Sequence, residues 1–215
     1  MRLTVKICGL TTAEAVATAI AGGAQMTGFV FYPPSPRALD PDAAGALVAQ
    51  VPSGIDRVGL FVDAGDDAIA AVLAAAPLDM LQLHGSETPE RVAALRSRFQ
   101  MPVIKAIPLA GPQDLALAAR YEAIADWLLF DAKPPKTMTH ALPGGNGLTF
   151  DWRLLAGRQG RRPWLLSGGL DADNLAGAVT TSGAPAVDVS SGVESAPGVK
   201  DPVRIRAFLD AARDL

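Results

Sequence analysis

The chain's only cysteine, Cys8, stands at the end of the first predicted strand, residues 3–8. In α/β folds the carboxyl ends of the strands carry the chemistry, so a thiol there can face a ligand. Lys6 lies two residues before Cys8, so strand alternation places both side chains on the same face. A nearby ammonium group favours the reactive thiolate, and Lys105 on the fifth strand is a second candidate to supply one. Cys8 is therefore a candidate catalytic thiol. The alternative is a small buried side chain, which is what most free cysteines are.

Titratable side chains also close two later strands. Asp131 ends the apolar strand 127–131, where partial desolvation favours a protonated carboxyl group suited to general-acid work. His84 ends strand 80–84, and alternation places it on the same inward face as Gln82. A histidine there is either a ligand contact or a structural residue. Residues 132–150, rich in proline and glycine, are too long for an ordinary connection and are typical of a lid or binding loop.

The last two predicted strands end in segments of small residues. Gly168 and Gly169 follow strand 164–167, while strand 186–190 carries Asp188 and leads into Ser190, Ser191 and Gly192. Barrel folds often bind phosphate with these two loops and the N-terminus of a short extra helix, because glycines let backbone N–H groups approach the oxygens. We therefore predict a phosphate site here; the alternative is a pair of tight turns.

Arg37 lies on a loop after the second strand that is stiffened by Pro33, Pro34 and Pro36. A guanidinium group held in place suits a planar anion such as a carboxylate. The alternative is a solvated arginine.

Strands that alternate with amphipathic helices position these residues. The predicted strands cover residues 3–8, 26–31, 57–62, 80–84, 103–107, 127–131, 164–167 and 186–190. Helical patterns lie between them, and Thr88, Asp171 and Asp201 are predicted N-caps of three helices. Eight evenly spaced repeats favour a closed (β/α)₈ TIM barrel over an open sheet, since no Gly-x-Gly-x-x-Gly turn follows the first strand.

Composition limits the classes of function. A length of 215 residues suits a single barrel domain over residues 1–215, and a net charge of −3 without a basic stripe disfavours nucleic acid. One cysteine and two distant histidines, His84 and His140, form no metal-binding pattern, so we expect no metal.

Neither a signal-peptide pattern nor an apolar run of about 18 residues is present, which predicts a cytoplasmic protein without a membrane partner. Polar outer helix faces predict a monomer, with a dimer as the alternative.

Eight motifs together resemble the phosphoribosylanthranilate isomerase family over almost the whole chain: KICGLT at 6–11, FYPPSPR at 31–37, VGLFVD at 58–63, LQLHG at 81–85, LLFDAKPP at 128–135, GGNGLTFDW at 144–152, LSGGL at 166–170 and DVSSGVES at 188–195. The resemblance implies a cofactor-free α/β barrel of the tryptophan pathway. Its reaction would be the Amadori rearrangement of N-(5-phosphoribosyl)anthranilate to 1-(2-carboxyphenylamino)-1-deoxyribulose 5-phosphate.

The resemblance also implies roles for the candidate residues. Asp131 would be the general acid and Cys8 the general base, while Arg37 would hold the anthranilate carboxylate. His84 and Asp188 would contact the substrate, and the loops of Gly168, Gly169, Ser190, Ser191 and Gly192 would hold its phosphate. Asn146 and the absence of an acidic residue in 23–27 depart from the family pattern, outside the proposed chemistry.

Two alternatives remain. The nearer is another phosphosugar barrel, although a histidine-pathway isomerase would need aspartates at the ends of strands one and five, and an epimerase would need metal-binding histidines. The other is a non-catalytic phosphate-binding barrel in which Cys8 only packs.

Overall fold

The computed structural model describes residues 3–135, 137–138, 142–158 and 160–215; His140 and part of the predicted long loop lie outside these ranges. Eight parallel strands close into a barrel in sequence order, which confirms the predicted fold. They are β1 (Thr4–Cys8), β2 (Met26–Val30), β3 (Asp56–Phe61), β4 (Met80–Leu83), β5 (Val103–Leu109), β6 (Trp127–Ala132), β7 (Trp164–Leu166) and β8 (Ala186–Val189).

Seven α-helices surround the barrel in the described part of the chain: α1 (Ala13–Ala21), α2 (Pro41–Val48), α3 (Asp66–Ala75), α4 (Pro89–Phe99), α5 (Leu115–Tyr121), α6 (Leu175–Ser182) and α7 (Pro202–Arg213). The predicted caps of α4 and α7 are confirmed, since the side chains of Thr88 and Asp201 accept backbone hydrogen bonds from the first turns. The predicted cap at Asp171 is wrong. Its carboxylate instead closes a turn by accepting from the N–H groups of Asp173 and Asn174, so α6 starts later.

The apolar core has two parts because successive strand residues face opposite sides. The larger part lies between strands and helices, and a smaller cluster fills the barrel interior: Met26, Val58, Met80, Ile104, Ala106, Leu129, Leu165 and Ala186. Asp131 has the parity of Leu129, which belongs to this interior cluster. On β6 the inward face is thus apolar at Leu129 and polar at Asp131, near the carboxyl end, where a ligand can be held.

Two connections differ from a regular repeat. Between β6 and β7 the described residues contain a 3₁₀ turn (Trp152–Leu155) in place of an α-helix. After β8, a 3₁₀ turn (Ser191–Val193) is followed by a hairpin of β9 (Glu194–Ala196) and β10 (Val199–Lys200), which alternation alone did not predict. None of the helices in the described ranges is long and apolar enough to cross a membrane.

Candidate active site

One cavity at the carboxyl ends of the strands brings together nearly all the predicted site residues. Its lining includes Cys8, Arg37, His84, Asp131, Gly168, Gly169, Asp188, Ser190 and Ser191. Gly192 is the exception: it packs behind the cavity, where a Cβ would clash with the carbonyl oxygen of Leu170. The barrel therefore gathers side chains from both halves of the sequence into one pocket.

Cys8 lies next to a buried ion pair. Lys6 Nζ donates to Asp188 Oδ1 at 2.7 Å, and Ser167 Oγ donates to Asp188 Oδ2 at 3.1 Å. A Cβ on Gly28 would lie 2.9 Å from Cys8 Sγ and 3.0 Å from Lys6 Nζ, so glycine is what leaves room for both groups. Lys6 faces inward as predicted.

The pKa of Cys8 departs from the sequence prediction. Burial raises the pKa of the thiol; Lys6 lowers it, but Asp188 raises it again, and the net pKa lies above its ordinary value. Burial also lowers the pKa of Lys6, yet the negative charges of Asp188 and Cys8 outweigh this and hold it above its ordinary value. The expectation that Lys6 brings the thiol pKa below normal is wrong, because burial of the thiol, together with the charge of Asp188, outweighs the effect of Lys6.

Lys105, the second candidate partner of the thiol, points away from the pocket centre. It alternates with Ile104 and Ala106, which pack in the barrel interior, and so faces the helices. Its Nζ donates to Glu87 Oε2 at 2.8 Å and to the carbonyl of Gly85 at 2.7 Å. Lys105 thus anchors the loop after β4 and does not contact Cys8.

Asp131 lies in a short row of buried polar groups. His84 Nε2 is 3.2 Å from Asp131 Oδ2, and Gln82 Nε2 is 2.9 Å from His84 Nδ1. The other carboxyl oxygen of Asp131 accepts from the N–H of Ala132 at 2.9 Å. His84 and Gln82 share the inward face as predicted, and through His84 that face reaches the candidate acid.

Arg37 is buried and held by a carboxylate rather than solvated. Its Nε and Nη2 donate to the two oxygens of Glu194 at 2.7 and 2.8 Å, and Nη2 also approaches the carbonyl of Gly145 at 3.2 Å. Lys200 Nζ donates to the same carboxylate at 2.6 Å. This bidentate pairing fixes the plane of the guanidinium group and leaves Nη1 without a protein acceptor among the described residues.

The same cluster shifts two pKa values. Burial raises the pKa of Glu194, but Arg37 and Lys200 outweigh it, and the net pKa lies below the ordinary value. Burial lowers the pKa of Lys200, which the neighbouring Glu194 only partly offsets. The carboxylate is therefore held in its charged form between two cations.

The loops after β7 and β8 offer backbone N–H groups to the cavity. Gly168 and Gly169 have φ values of 90° and 62°, a left-handed backbone that favours glycine. Ser191 begins the 3₁₀ turn after β8. Within the described part of the chain, the N–H groups of Gly169 and Ser191 donate to no protein acceptor, which leaves donors for an anion.

Residues 142–148 of the long connection cover the cavity. Asn146 closes this segment, because its side-chain amide accepts from the N–H of Leu142 at 3.0 Å and donates to its carbonyl at 2.7 Å. The covered cavity measures about 60 Å³, whereas ligand pockets are typically about 300–1,000 Å³. The covered cavity is therefore smaller than a typical ligand pocket, and residues 142–148 form part of its wall.

Sequence comparison places the chain among known proteins. A family model described as N-(5′-phosphoribosyl)anthranilate (PRA) isomerase matches residues 5–211. A relative of that name from Paracoccus denitrificans is 58% identical over 212 residues, covering 99% of this chain and 98% of its own. One from Rhodospirillum centenum is 56% identical over 215 residues and covers 100% of both. The chain belongs to the phosphoribosylanthranilate isomerase family.

Solved structures of this isomerase family have the same fold. The Thermotoga maritima phosphoribosylanthranilate isomerase aligns with a TM-score of 0.88 at 36% identity, over 99% of this chain and 100% of that one. A family structure in complex with reduced 1-(o-carboxyphenylamino)-1-deoxyribulose 5-phosphate aligns with a TM-score of 0.85 at 34% identity, with the same coverage. The predicted family and the predicted barrel are both confirmed.

Within this isomerase fold, sequence reasoning missed two buried residues of the site. Glu194 and Lys200 lie on the unpredicted hairpin and reach Arg37 and the carbonyl of Ser190. The sequence does show that Glu194 and Lys200 are charged and lie soon after the loop that follows β8. A position in a loop, however, gives no indication that a side chain is buried. For Gln82, strand alternation predicts the inward face but indicates no role.

Proposed function

We propose that the chain catalyses the reaction of its family, the Amadori rearrangement of N-(5′-phosphoribosyl)anthranilate to 1-(2-carboxyphenylamino)-1-deoxyribulose 5-phosphate in tryptophan biosynthesis. In this proposal Asp131 is the general acid and Cys8 the general base. One observation carries the assignment: the carboxyl group at the end of β6 and the thiol at the end of β1 line the same covered cavity, beside the phosphate-type loops after β7 and β8.

The chemistry needs one proton donor and one proton acceptor. Asp131 gives its proton to the ring oxygen of the ribose, the C1′–O bond breaks, and the nitrogen lone pair forms the iminium. The Cys8 thiolate then removes the C2′ proton, and the electrons of that bond form an enolamine. Loss of the O2′ proton and protonation of C1′ give the ketone, so the substrate gains and loses equal numbers of protons.

The two anionic ends of the substrate are assigned to separate groups. The phosphate is placed against the N–H groups of Gly169 and Ser191, with Gly168, Ser190 and Gly192 shaping the two loops. The anthranilate carboxylate is assigned to Nη1 of Arg37, the edge of the guanidinium group that Glu194 leaves available. His84 and Asp188 act next to the acid and the base, respectively, through their hydrogen bonds.

The raised pKa of Cys8 bears on the protonation state that reacts. A thiol with a pKa above about 8.5 is largely protonated at pH 7, so a minority of the enzyme carries the thiolate. The thiolate is the reactive form of the base, so its share of the enzyme grows as pH rises toward the raised pKa of Cys8.

The decisive assay follows anthranilate fluorescence, which disappears as the substrate is consumed. Cys8→Ala and Asp131→Asn should each lower kcat by about 10²–10⁴, the usual value of a positioned acid or base, with substrate binding near normal. Full turnover after both changes would show that neither residue is the acid or the base. Absence of turnover in the unmodified protein would reject the activity itself.

The proposal also covers the domain organisation, the location and the oligomeric state of the enzyme. We assign residues 1–215 to one domain and to the cytoplasm, since its phosphorylated substrate does not cross membranes unaided. The large apolar side chains that are exposed in the described ranges are few and scattered, namely Met138, Val199, Val203 and Leu215, which supports a monomer. The Thermotoga maritima relative is described as dimeric. Sedimentation at micromolar concentration distinguishes the two states.

A further inference from the structure

Gln82 occupies an unfavourable place for an amide. It is fully buried in β4, and in the described part of the chain its Oε1 has no hydrogen-bond partner. Its Nε2 faces one side chain, the His84 ring, at 2.9 Å from Nδ1. A buried polar atom left unsatisfied costs stability, so an apolar residue of similar shape would be the more stable choice here. The amide therefore needs a reason beyond packing.

The contact of Gln82 with Nδ1 determines where the His84 proton lies. A neutral imidazole has one donor and one acceptor nitrogen. An amide nitrogen can only donate, so its 2.9 Å contact matches the tautomer in which Nδ1 accepts and Nε2 carries the proton. Nε2 is the nitrogen that faces Asp131 Oδ2 at 3.2 Å. In this arrangement His84 is a neutral hydrogen-bond donor to the carboxyl group.

We propose that Gln82 is a positioning residue that fixes His84 as the neutral Nε2–H tautomer, so that His84 donates to Asp131. The inference rests on the proposed function, in which Asp131 is the general acid. As Asp131 transfers its proton to the substrate, negative charge develops on its carboxyl group. A donor already aimed at Oδ2 stabilises that charge more in the transition state than in the ground state, and therefore raises kcat rather than affinity.

The tautomer can be measured directly. The chain has two histidines, so ring-¹⁵N labelling gives two spin systems, and His140→Gln assigns them. At a pH where the His84 ring is neutral, we expect Nε2 to be protonated and Nδ1 to be bare. Gln82→Met, which removes the amide but keeps the length, should populate both tautomers. Gln82→Glu, whose carboxylate accepts from Nδ1, should move the proton to Nδ1.

Activity should follow the tautomer. Gln82→Met should lower kcat about three- to tenfold, the value of one ordinary buried hydrogen bond, with KM changed less than twofold. Gln82→Glu should lower kcat further. The matched control is Gln25→Met: Gln25 also bonds through its side-chain amide, to Val5 and Gly23, but outside the cavity. It should alter neither the His84 spectrum nor kcat.

Two results would overturn the inference. The first is a wild-type spectrum with the proton on Nδ1, which requires no variant and so holds even if a substituted chain fails to fold. The second is a Gln82→Met protein with an unchanged tautomer and an unchanged kcat. The proposed function fails separately: if Asp131→Asn keeps full turnover, Asp131 is not the acid, whatever tautomer His84 shows.

Discussion

The buried Lys6–Asp188 pair gives the sharpest test of how the site controls its thiol. Lys6→Met removes the ammonium group and leaves the Asp188 carboxylate, among the residues that the structure describes, with the Ser167 hydroxyl alone at 3.1 Å. Breaking one side of a buried ion pair typically costs about 3–5 kcal/mol of stability. The native state of a protein this size is usually stable by about 5–15 kcal/mol, so the variant should fold with a reduced free energy of unfolding.

The effect on Cys8 follows from charge. The Cβ geometry at Gly28 puts Cys8 Sγ and Lys6 Nζ no more than about 5.9 Å apart. At that separation, with an effective dielectric constant of ~20, the attraction between thiolate and ammonium is about 3 kcal/mol. Removing it, while Asp188 stays charged, raises the pKa of Cys8 further above its ordinary value. The rate of thiolate alkylation at pH 8 should therefore fall at least tenfold, since about 1.4 kcal/mol is a factor of ten.

The assay is iodoacetamide modification of the single cysteine across a pH series, normalised to the unfolded chain. Lys105→Met is the matched control: Lys105 is equally buried and paired with Glu87 at 2.8 Å, but it does not contact Cys8. It should lose similar stability with the alkylation profile unchanged. If Lys6→Met is alkylated as fast as the wild type while the control behaves as expected, Lys6 does not stabilise the thiolate and the reasoning is wrong.

Three further outcomes are expected. Arg37→Ala should raise KM about ten- to a hundredfold, the value of a charged hydrogen bond, and an analogue without the carboxylate should bind both proteins alike. Gly192→Ala should weaken inorganic phosphate binding in calorimetry, because its Cβ has no room, whereas Gly177→Ala, with open space on α6, should not. Hydrogen bonds from Arg57 lower the pKa of Asp79, so the stability they add is present above about pH 3.9 and lost as pH falls through the lowered pKa. Asp79→Asn should therefore cost about 0.2–1 kcal/mol in urea titrations at pH 7 and less than that at pH 2.

The order of the elements could be predicted from the sequence because each strand is short, apolar and bounded by turn or capping residues. All eight strands lie within one or two residues of their predicted positions. The predictions that failed concern local structure, where one residue type suits more than one conformation. Asp171 matches the composition of a cap, but its side chain closes a turn. The β9–β10 hairpin was missed because Glu194 and Lys200 are charged, and their burial depends on Arg37, which is 157 residues away from Glu194 in sequence.

The site was predictable as a set of positions but not as a set of electrostatic environments. Parity and strand ends indicated that Cys8, His84 and Asp131 share one cavity, because a barrel brings the carboxyl ends of its strands to one face. The pKa of Cys8 could not be derived in that way. It depends first on how deeply the thiol is buried. It then depends on whether the Lys6 charge is free or shared, and the sharing partner, Asp188, comes from the opposite end of the chain.

The segment from β8 through β10 links the two anionic ends of the proposed substrate. It carries Ser190 and Ser191 of the phosphate-type loop, and a few residues later Glu194, which fixes the plane of Arg37. Lys200 Nζ bonds both regions, donating to the Ser190 carbonyl at 2.9 Å and to Glu194 at 2.6 Å. A displacement of this segment therefore moves the phosphate donors and the carboxylate donor together. For that reason, a substitution of Lys200 should change the binding free energy of the whole substrate by more than the sum of two separate changes. Those are the changes in the binding free energies of phosphate alone and of anthranilate alone.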